Sequence, residues 1–307
     1  MRLSPTQIND FEKNGCLVIP NFLRLDVVES LNYEIEHLYS KFDINKHPMT
    51  KFTTEINGKH IGNKYFLESS DKIHYFFEPD AFDSKSMLTK PVDKSINKIG
   101  HGLHILDKNF KSITINSTIS EICTQLGYRD PRALQSMVII KQPGIGNEVP
   151  PHTDSEFLYT NPVTCLGFWF ALENCTAKNG CLQIISGSHK MHTLKKRFVR
   201  DTEKGGTKFV HVNEPLKNWN SNVDHEKGEN SWQKSSKYTN VEVPAGSLVL
   251  IHGNLVHKSD RNNSQTSRNA YVFHVLEADS KYDDLNWLQI PFDNPSGTDN
   301  FTRISER

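Results

Sequence analysis

Two residues with metal-binding side chains, His152 and Asp154, lie two positions apart in the segment Pro151-His152-Thr153-Asp154. In an extended segment, side chains two apart project from the same face, so this imidazole and this carboxylate can reach one point in space. With a second imidazole from elsewhere they would form the facial ligand set of non-haem Fe(II) sites. A His-x-Asp triplet arises easily by chance among 14 histidines and alone is equally typical of a polar turn. The interpretation therefore depends on a second cluster.

The second imidazole is expected from a segment with two histidines, His252 and His257, that follows the apolar run 248–251. His257 comes directly after Leu255-Val256 and is favoured, whereas His252 precedes a glycine, which is typical of a turn. Arg268 stands just before another apolar run. Its planar cation could clamp a carboxylate beside the metal, although an arginine at the start of a strand is more often a surface residue.

These residues fit oxygen chemistry at Fe(II). Two imidazoles and a carboxylate suit Fe(II) better than magnesium or calcium, and a set without a thiolate argues against structural zinc. The open positions on the metal could take a 2-oxo acid, through its keto oxygen and nearer carboxylate, and then O2. The far carboxylate of that acid would need a cation, which Arg268 could supply.

The composition is that of an ordinary soluble protein. Of the 307 residues 36% are hydrophobic, and 36 Lys and Arg balance 36 Asp and Glu, so no nucleic-acid partner is expected. Five cysteines without a Cys-x-x-Cys pair predict free thiols in a reducing compartment. The sequence has no signal-peptide core and no apolar run of membrane-spanning length. We therefore expect a cytoplasmic protein without a membrane span.

Helical patterns come first and strand patterns follow. Apolar spacing and capping residues predict helices over residues 4–13, 26–41 and 117–127. Short apolar strands are predicted at 16–19, 52–54, 73–77, 135–141, 166–172, 181–185, 241–243, 247–251 and 270–276. Many short strands after the helices favour a barrel or sandwich over a doubly wound parallel sheet.

Other segments give local expectations. Residues 97–104 are predicted to be helical, with Lys98 and His101 on one face, and each is interpreted as a surface group. His74 is expected to be a packed strand residue rather than a ligand. Residues 201–240 are polar with little periodicity, and we interpret them as a long loop on the rim of the barrel.

Several stretches resemble the phytanoyl-CoA dioxygenase (PhyH) family of Fe(II)/2-oxoglutarate-dependent oxygenases. They are residues 15–23, 71–78, 95–104, 135–158, 166–189 and 246–274, and they include Leu158-Tyr159-Thr160, Asn179-Gly180-Cys181-Leu182 and Gly187-Ser188-His189. The family usually has a proline before that Gly-Ser-His turn, where this chain has Ser186. The resemblance covers nearly the whole chain and is weakest at 42–65, at 201–240 and after 290.

The resemblance implies a mainly β fold with flanking helices and a double-stranded β-helix (jelly roll, cupin-like) core. It implies one oxygenase domain over residues 1–307, in which 1–130 are mostly helical support with early strands and 131–290 form the jelly roll. The family's iron ligands, which are also its catalytic residues, correspond to His152, Asp154 and His257. Its 2-oxoglutarate contacts correspond to Lys98, Met137, Thr153, Trp169, Ser259 and Arg268.

The implied function is hydroxylation of a small-molecule substrate coupled to decarboxylation of 2-oxoglutarate to succinate and CO2, with Fe(II), O2 and ascorbate as reductant. A non-catalytic module that binds metal and 2-oxoglutarate is the alternative, and O2 dependence would separate the oxygenase from a metallohydrolase. An acyl-CoA or another lipid-like molecule is the candidate substrate. Lys195-Lys196-Arg197 and Arg200 could hold CoA phosphates, although such a basic cluster is more often a solvated face.

Overall fold

A computed structural model describes residues 1–52, 62–191, 194–214, 216 and 237–304. The α-helices in these ranges are α1 Pro5–Asn14, α2 Leu25–Ser40, α3 Lys64–Leu67, α4 Leu103–Leu106, α5 Lys108–Thr114, α6 Ser117–Gln125 and α7 Asp154–Phe157. Short 3-10 helices lie at Ile44–Lys46, Pro79–Ala81, Val92–Lys94, Ala177–Asn179 and Ser188–Lys190. None of the described helices is both long enough and apolar enough to cross a membrane.

The strands are numbered β1 to β16 along the chain. They are β1 Cys16–Ile19, β2 Ile73–Phe77, β3 Ile96–His101, β4 Pro131–Lys141, β5 Val149–His152, β6 Thr160–Asn161, β7 Leu166–Ala171, β8 Leu182–Ile184, β9 Lys196–Arg200, β10 Thr207–His211, β11 Thr239–Val241, β12 Leu248–His252, β13 His257–Ser259, β14 Arg268–Glu277, β15 Lys281–Tyr282 and β16 Thr302–Arg303.

The strands form two main antiparallel sheets. The larger has the order β1-β12-β7-β14-β4-β3-β2, with β16 beside β4, and the smaller has the order β11-β8-β13-β5. Apart from β2, β3 and β4, which are consecutive, neighbouring strands in these sheets come from distant parts of the chain, as the long crossover connections of a jelly roll require. The predicted jelly-roll fold with flanking helices is therefore confirmed, and a doubly wound parallel sheet is excluded for the described residues.

Alternate residues of the central strands point to two different cores. On β12, Leu248 and Leu250 belong to the cluster that packs against the helices, which includes Leu31 of α2. Val249 and Ile251 belong to the cluster that faces the smaller sheet. This two-residue alternation buries both faces of the larger sheet and leaves the space between the sheets for a site.

The N-terminal helix follows its sequence signals closely. The Ser4 hydroxyl accepts a hydrogen bond from the Gln7 backbone N–H, and the Gln7 side chain accepts one from the Ser4 backbone N–H, which is a complete capping box. Gly15 ends the helix in the left-handed region, at φ 74°. The helices predicted over 26–41 and 117–127 are also present.

The helix predicted over 97–104 is wrong for most of its length. Residues 96–101 form β3, which pairs with both β2 and β4, and only α4 beyond it is helical. Pairing on both edges outweighs the local helical preference. Lys98 lies opposite Ile139 of β4 and is 9% exposed, so its interpretation as a surface group is also wrong. His101 is buried too.

The rim loop predicted over 201–240 contains regular structure. Within it, β10 pairs with β9 as a hairpin, and β11 pairs with β8 at the end of the segment. Residues 215 and 217–236 lie outside the described residues, as do 53 and 54 of the strand predicted at 52–54. His74 is a packed strand residue, as expected: its ring stacks on Tyr65 with centroids 3.9 Å apart.

Candidate metal centre and its cavity

His152, Asp154 and His257 meet where the smaller sheet faces the larger one. His152 is the last residue of β5, Asp154 is the first of α7, and His257 begins β13, where it lies opposite His152 in the antiparallel pairing. Asp154 Oδ1 lies 3.7 Å from Nε2 of each histidine. One ligand atom from each residue lies within 4.8 Å of the others, so a single ion could bind all three.

Hydrogen bonds orient both rings toward that point. His152 Nδ1 lies 2.8 Å from the carbonyl oxygen of Pro150, and His257 Nδ1 lies 2.9 Å from that of Leu255. A carbonyl can only accept, so each Nδ1 carries the proton and donates it. Each Nε2 is therefore left with its lone pair toward the shared point, which is the arrangement of a metal-binding histidine.

The ionisation states at neutral pH also suit a metal ion. Burial, reinforced by the neighbouring His257, lowers the pKa of His152 to about 4, so this imidazole is neutral at pH 7. Burial alone would raise the pKa of Asp154, but His257 and His274 outweigh it and hold that pKa well below its usual range. The site thus offers a neutral imidazole at His152 and an ionised carboxylate without first losing a proton.

The second histidine of the cluster lies elsewhere. His252 is the last residue of β12, and its ring is 4.8 Å from that of His189 and 6.4 Å from that of Phe11, on the side of the N-terminal helix. Its Nδ1 accepts a hydrogen bond from the Asn254 backbone N–H. The structure therefore brings His257, and not His252, to the pair formed by His152 and Asp154.

A cavity of about 210 Å³ opens on the three side chains. Most of the residues predicted to contact 2-oxoglutarate line it: Lys98, Met137, Trp169, Ser259 and Arg268. Thr153 is not among the lining residues, and its buried hydroxyl oxygen has no hydrogen-bond partner in the described part of the chain. The cavity runs along β14, from Arg268 at one end past Val272 to His274.

The Arg268 end of the cavity is cationic. Arg268 is 2% exposed, and its Nε and Nη1 have no hydrogen-bond partner among the described residues. Its guanidinium lies 5.6 Å from the centre of the Trp169 ring, and its strand neighbour is the buried Lys141. A buried guanidinium with unsatisfied N–H groups is costly unless an anion pairs with it. The carboxylate of a 2-oxo acid fits that requirement.

Lys98 adds a further basic side chain to the cavity wall. Its Nζ lies 3.7 Å from the centre of the Phe52 ring, a cation–π contact. Burial lowers the pKa of Lys98 to about 7, so this amine can be neutral or charged near physiological pH. A bound anion would favour the charged form.

The far end of the cavity is aromatic, and sequence reasoning missed it. Phe66 and Trp287 stack with centroids 4.3 Å apart, and His101 meets both rings edge-on. A second group packs beside His152, with ring centroids 5.1 to 5.6 Å apart, and consists of Phe157, Phe198 and Phe209. These residues come from separate elements, so no sequence spacing connects them.

Sequence reasoning also missed two polar residues behind the carboxylate. His274 Nε2 lies 3.3 Å from Asp154 Oδ2, and the other ring nitrogen, Nδ1, lies 3.1 Å from Gln135 Nε2. One sequence signal could have indicated a role for His274: it is a histidine within the otherwise apolar strand pattern 270–276.

Comparison with known proteins identifies the family of the chain and finds solved structures with the same fold. Residues 11–270 match the family described as Phytanoyl-CoA dioxygenase (PhyH). The "Phytanoyl-CoA dioxygenase domain-containing protein 1 homolog" of Caenorhabditis elegans is 41% identical over 91% of this chain and 93% of its own length. The "Phytanoyl-CoA dioxygenase" of Arabidopsis thaliana is 41% identical over 94% of each chain.

Solved structures share the fold at low sequence identity. The epimerase SnoN in complex with Fe3+, alpha ketoglutarate and nogalamycin RO has a TM-score of 0.62 and 14% identity, over 97% of each chain. EctD from S. alaskensis with bound Fe has a TM-score of 0.56 and 16% identity, over 92% of this chain and 79% of its own. The family match and the relatives near 40% identity identify the chain: it belongs to the phytanoyl-CoA dioxygenase family.

Proposed function

We propose that this protein is an Fe(II)- and 2-oxoglutarate-dependent oxygenase that hydroxylates a small, largely apolar molecule. The observation that carries the proposal is one buried cavity with three converging metal-ligand atoms beside an arginine whose Nε and Nη1 lack partners among the described residues. Relatives whose names include phytanoyl-CoA dioxygenase, and neighbours solved with iron and with alpha ketoglutarate, support it.

Each residue of the cavity has a separable task. His152 and His257 present Nε2 lone pairs, and Asp154 presents Oδ1, so together they hold the metal on one side. Arg268 pairs with the far carboxylate of 2-oxoglutarate, and the Ser259 hydroxyl can donate a hydrogen bond to the same ligand. When bound, Fe(II) with 2-oxoglutarate supplies the oxygen chemistry that hydroxylates a C–H bond and yields succinate and CO2.

The apolar side chains of the cavity wall exclude water from the space where the reaction takes place. Met137 and Trp169 are each 4% exposed and line the same cavity as the metal ligands and Arg268. On the other side, the aromatic end offers ring faces and edges to an apolar part of the substrate. Exclusion of water strengthens the electrostatic contacts that hold 2-oxoglutarate.

The basic residues considered for CoA phosphates are mostly engaged within the protein. Arg197 pairs with Asp283 at 3.2 Å and with Asn286 at 3.1 Å. Arg200 donates to the carbonyl oxygens of Trp287 and Phe292. Lys196 lines the cavity but lies over the Phe209 ring. Arg197 is paired with an acid, and Arg200 donates through Nε and Nη1 to carbonyl oxygens, with only its Nη2 lacking a partner among the described residues. This cluster therefore does not favour a CoA thioester over other substrates.

Metal binding distinguishes the two histidines of the second cluster. We expect His257→Ala to weaken Co(II) binding by more than the roughly 10- to 100-fold that loss of an outer-shell partner costs. His252→Ala is the matched control and should leave Co(II) affinity unchanged, because this ring packs against His189 on the other side of β12. Isothermal titration of metal-free protein measures both. Equal losses in the two variants would refute the assignment of His257.

A further inference from the structure

A chain of two hydrogen bonds runs from the larger sheet to one oxygen of Asp154. Gln135 on β4 and His274 on β14 are direct partners in the antiparallel register, so their side chains emerge side by side on the same face. Gln135 Nε2 lies 3.1 Å from His274 Nδ1, and His274 Nε2 lies 3.3 Å from Asp154 Oδ2. Both residues are at least nine-tenths buried and line the cavity.

The direction of these bonds follows from the donor chemistry. An amide N–H of Gln135 can only donate, so it makes His274 Nδ1 an acceptor and places the ring proton on Nε2. That N–H then donates to Asp154 Oδ2. In the opposite tautomer, a ring lone pair would face the carboxylate. Gln135 thus selects the tautomer that can bind Asp154.

The hydrogen bond from His274 gives the two oxygens of Asp154 different partners. Oδ2 is taken by His274, whereas Oδ1 is equidistant from the two imidazole Nε2 atoms at 3.7 Å and points to the shared ligand position. Gly167 lies opposite His274 on β7, and a Cβ there would be in ordinary van der Waals contact with Asp154 Oδ2 at 3.4 Å and with His274 Nε2 at 3.6 Å. A carboxylate held through one oxygen binds a metal through the other.

The amide of Gln135 has no comparable role in stability. Its Oε1 is buried without a hydrogen-bond partner among the described residues. A core selected for stability alone would place an apolar side chain at this position, because an unpaired buried carbonyl is unfavourable. The hydrogen bond of this side chain is the one that its other end makes to His274.

We infer that Gln135 and His274 are positioning residues that act in series: Gln135 fixes the His274 tautomer, and His274 fixes Asp154 as a one-oxygen metal ligand. This inference rests on the proposed metal-binding function. It adds two residues outside the metal-ligand set and assigns a distinct task to each oxygen of Asp154.

A double-mutant cycle on Co(II) affinity tests whether Gln135 acts through His274. We expect His274→Leu to weaken Co(II) binding by about 10- to 100-fold, in the range typical of outer-shell partners, and Gln135→Leu to weaken it by a smaller factor. In the His274→Leu background, Gln135→Leu should cause no further loss, because its effect passes through the ring. Fold-changes that multiply would overturn the serial arrangement.

Conservative variants separate positioning from simple packing. His274→Gln puts an amide N–H near the place of Nε2 and should recover most of the affinity, whereas His274→Asn reaches only the place of Nδ1 and should not. Equal affinities in these two variants would overturn the inference. The Co(II) absorption spectrum provides a second readout, since a carboxylate that binds through both oxygens changes the coordination geometry.

Two further Co(II) affinities are needed for comparison, that of a control variant and that of the wild-type protein. His189→Leu removes another buried histidine that does not line the cavity and whose Nε2 donates to the carbonyl oxygen of Glu12, and its Co(II) affinity should match the wild type. If wild-type protein failed to bind Co(II), the proposed function itself would fall. If the wild-type protein bound Co(II) and His274→Leu bound it equally well, only the positioning role of Gln135 and His274 would be refuted.

Discussion

Replacing Arg268 with leucine should weaken 2-oxoglutarate binding by about 100-fold or more, because truncating one partner of a buried charge pair costs several kcal/mol. The guanidinium is buried at the cationic end of the cavity, and two of its nitrogens, Nε and Nη1, have no hydrogen-bond partner in the part of the chain that the structure describes. Isothermal titration of 2-oxoglutarate into Zn(II)-loaded protein measures the loss. Arg268→Lys keeps the charge without the planar fork and should give an intermediate affinity.

The same variant should not destabilise the metal-free protein. Leucine removes a buried cation that has lost its hydration, so the free energy of unfolding should stay the same or rise. The rise in Tm that 2-oxoglutarate gives the wild-type protein should disappear. A fall in stability together with 2-oxoglutarate affinity close to that of the wild type would mean that Arg268 is a structural cation and not the carboxylate partner.

Acid should unfold the metal-free protein between about pH 6.5 and pH 4, the interval between the unfolded and folded pKa of its buried histidines. Burial lowers the pKa of both His104 and His189 to about 4. The unfolded chain, in which these groups titrate near 6.5, therefore binds more protons in this interval. Their stabilising effect is complete above pH 6.5 and is lost as the pH falls through 4.

The expected size of this acid effect rivals the total stability of a domain. Each of these two groups contributes about 3 kcal/mol, so together they contribute about 6 kcal/mol, and burial lowers the pKa of His101 and His152 as well. Native domains are stable by roughly 5–15 kcal/mol. Urea unfolding at a series of pH values measures the slope of stability against pH.

One substitution isolates a single contribution to that slope. His104→Asn keeps a polar atom beside the Ser136 hydroxyl, which lies 2.7 Å from His104 Nδ1, but cannot titrate. The stability lost between pH 6.5 and 4 should shrink by about 3 kcal/mol in this variant. His211→Asn, at an exposed position of β10, is the control and should leave the slope unchanged. Parallel curves for wild type and His104→Asn would contradict the assignment.

The sequence predicted the parts of the site that lie within short segments. His152 and Asp154 are two residues apart, so their proximity is local, and the strands predicted around them are present. Arg268 was placed correctly at the start of a strand, but its residue type indicated a surface position. Only the pairing of β14 with β4 and β7 shows that it is buried.

Residues joined through the sheet could not be predicted in this way. Lys98 was assigned to a helix because local propensity does not register the pairing of β3 with both neighbouring strands. Gln135 and His274 are 139 residues apart in sequence, so only the antiparallel register brings them together. The aromatic end of the cavity is likewise assembled from α3, α7, the β9–β10 hairpin and Trp287.

The most direct test of the account is succinate formation from 2-oxoglutarate by the purified protein. Fe(II), ascorbate and air are supplied, and Asp154→Ala is assayed in parallel. We predict succinate from the wild-type protein, dependent on O2 and absent with Asp154→Ala, which lacks the carboxylate ligand. The same amount of succinate from both proteins would contradict the proposed metal site. Tight 2-oxoglutarate binding with no succinate under any condition, including a screen of apolar substrates, would instead indicate a non-catalytic binding module.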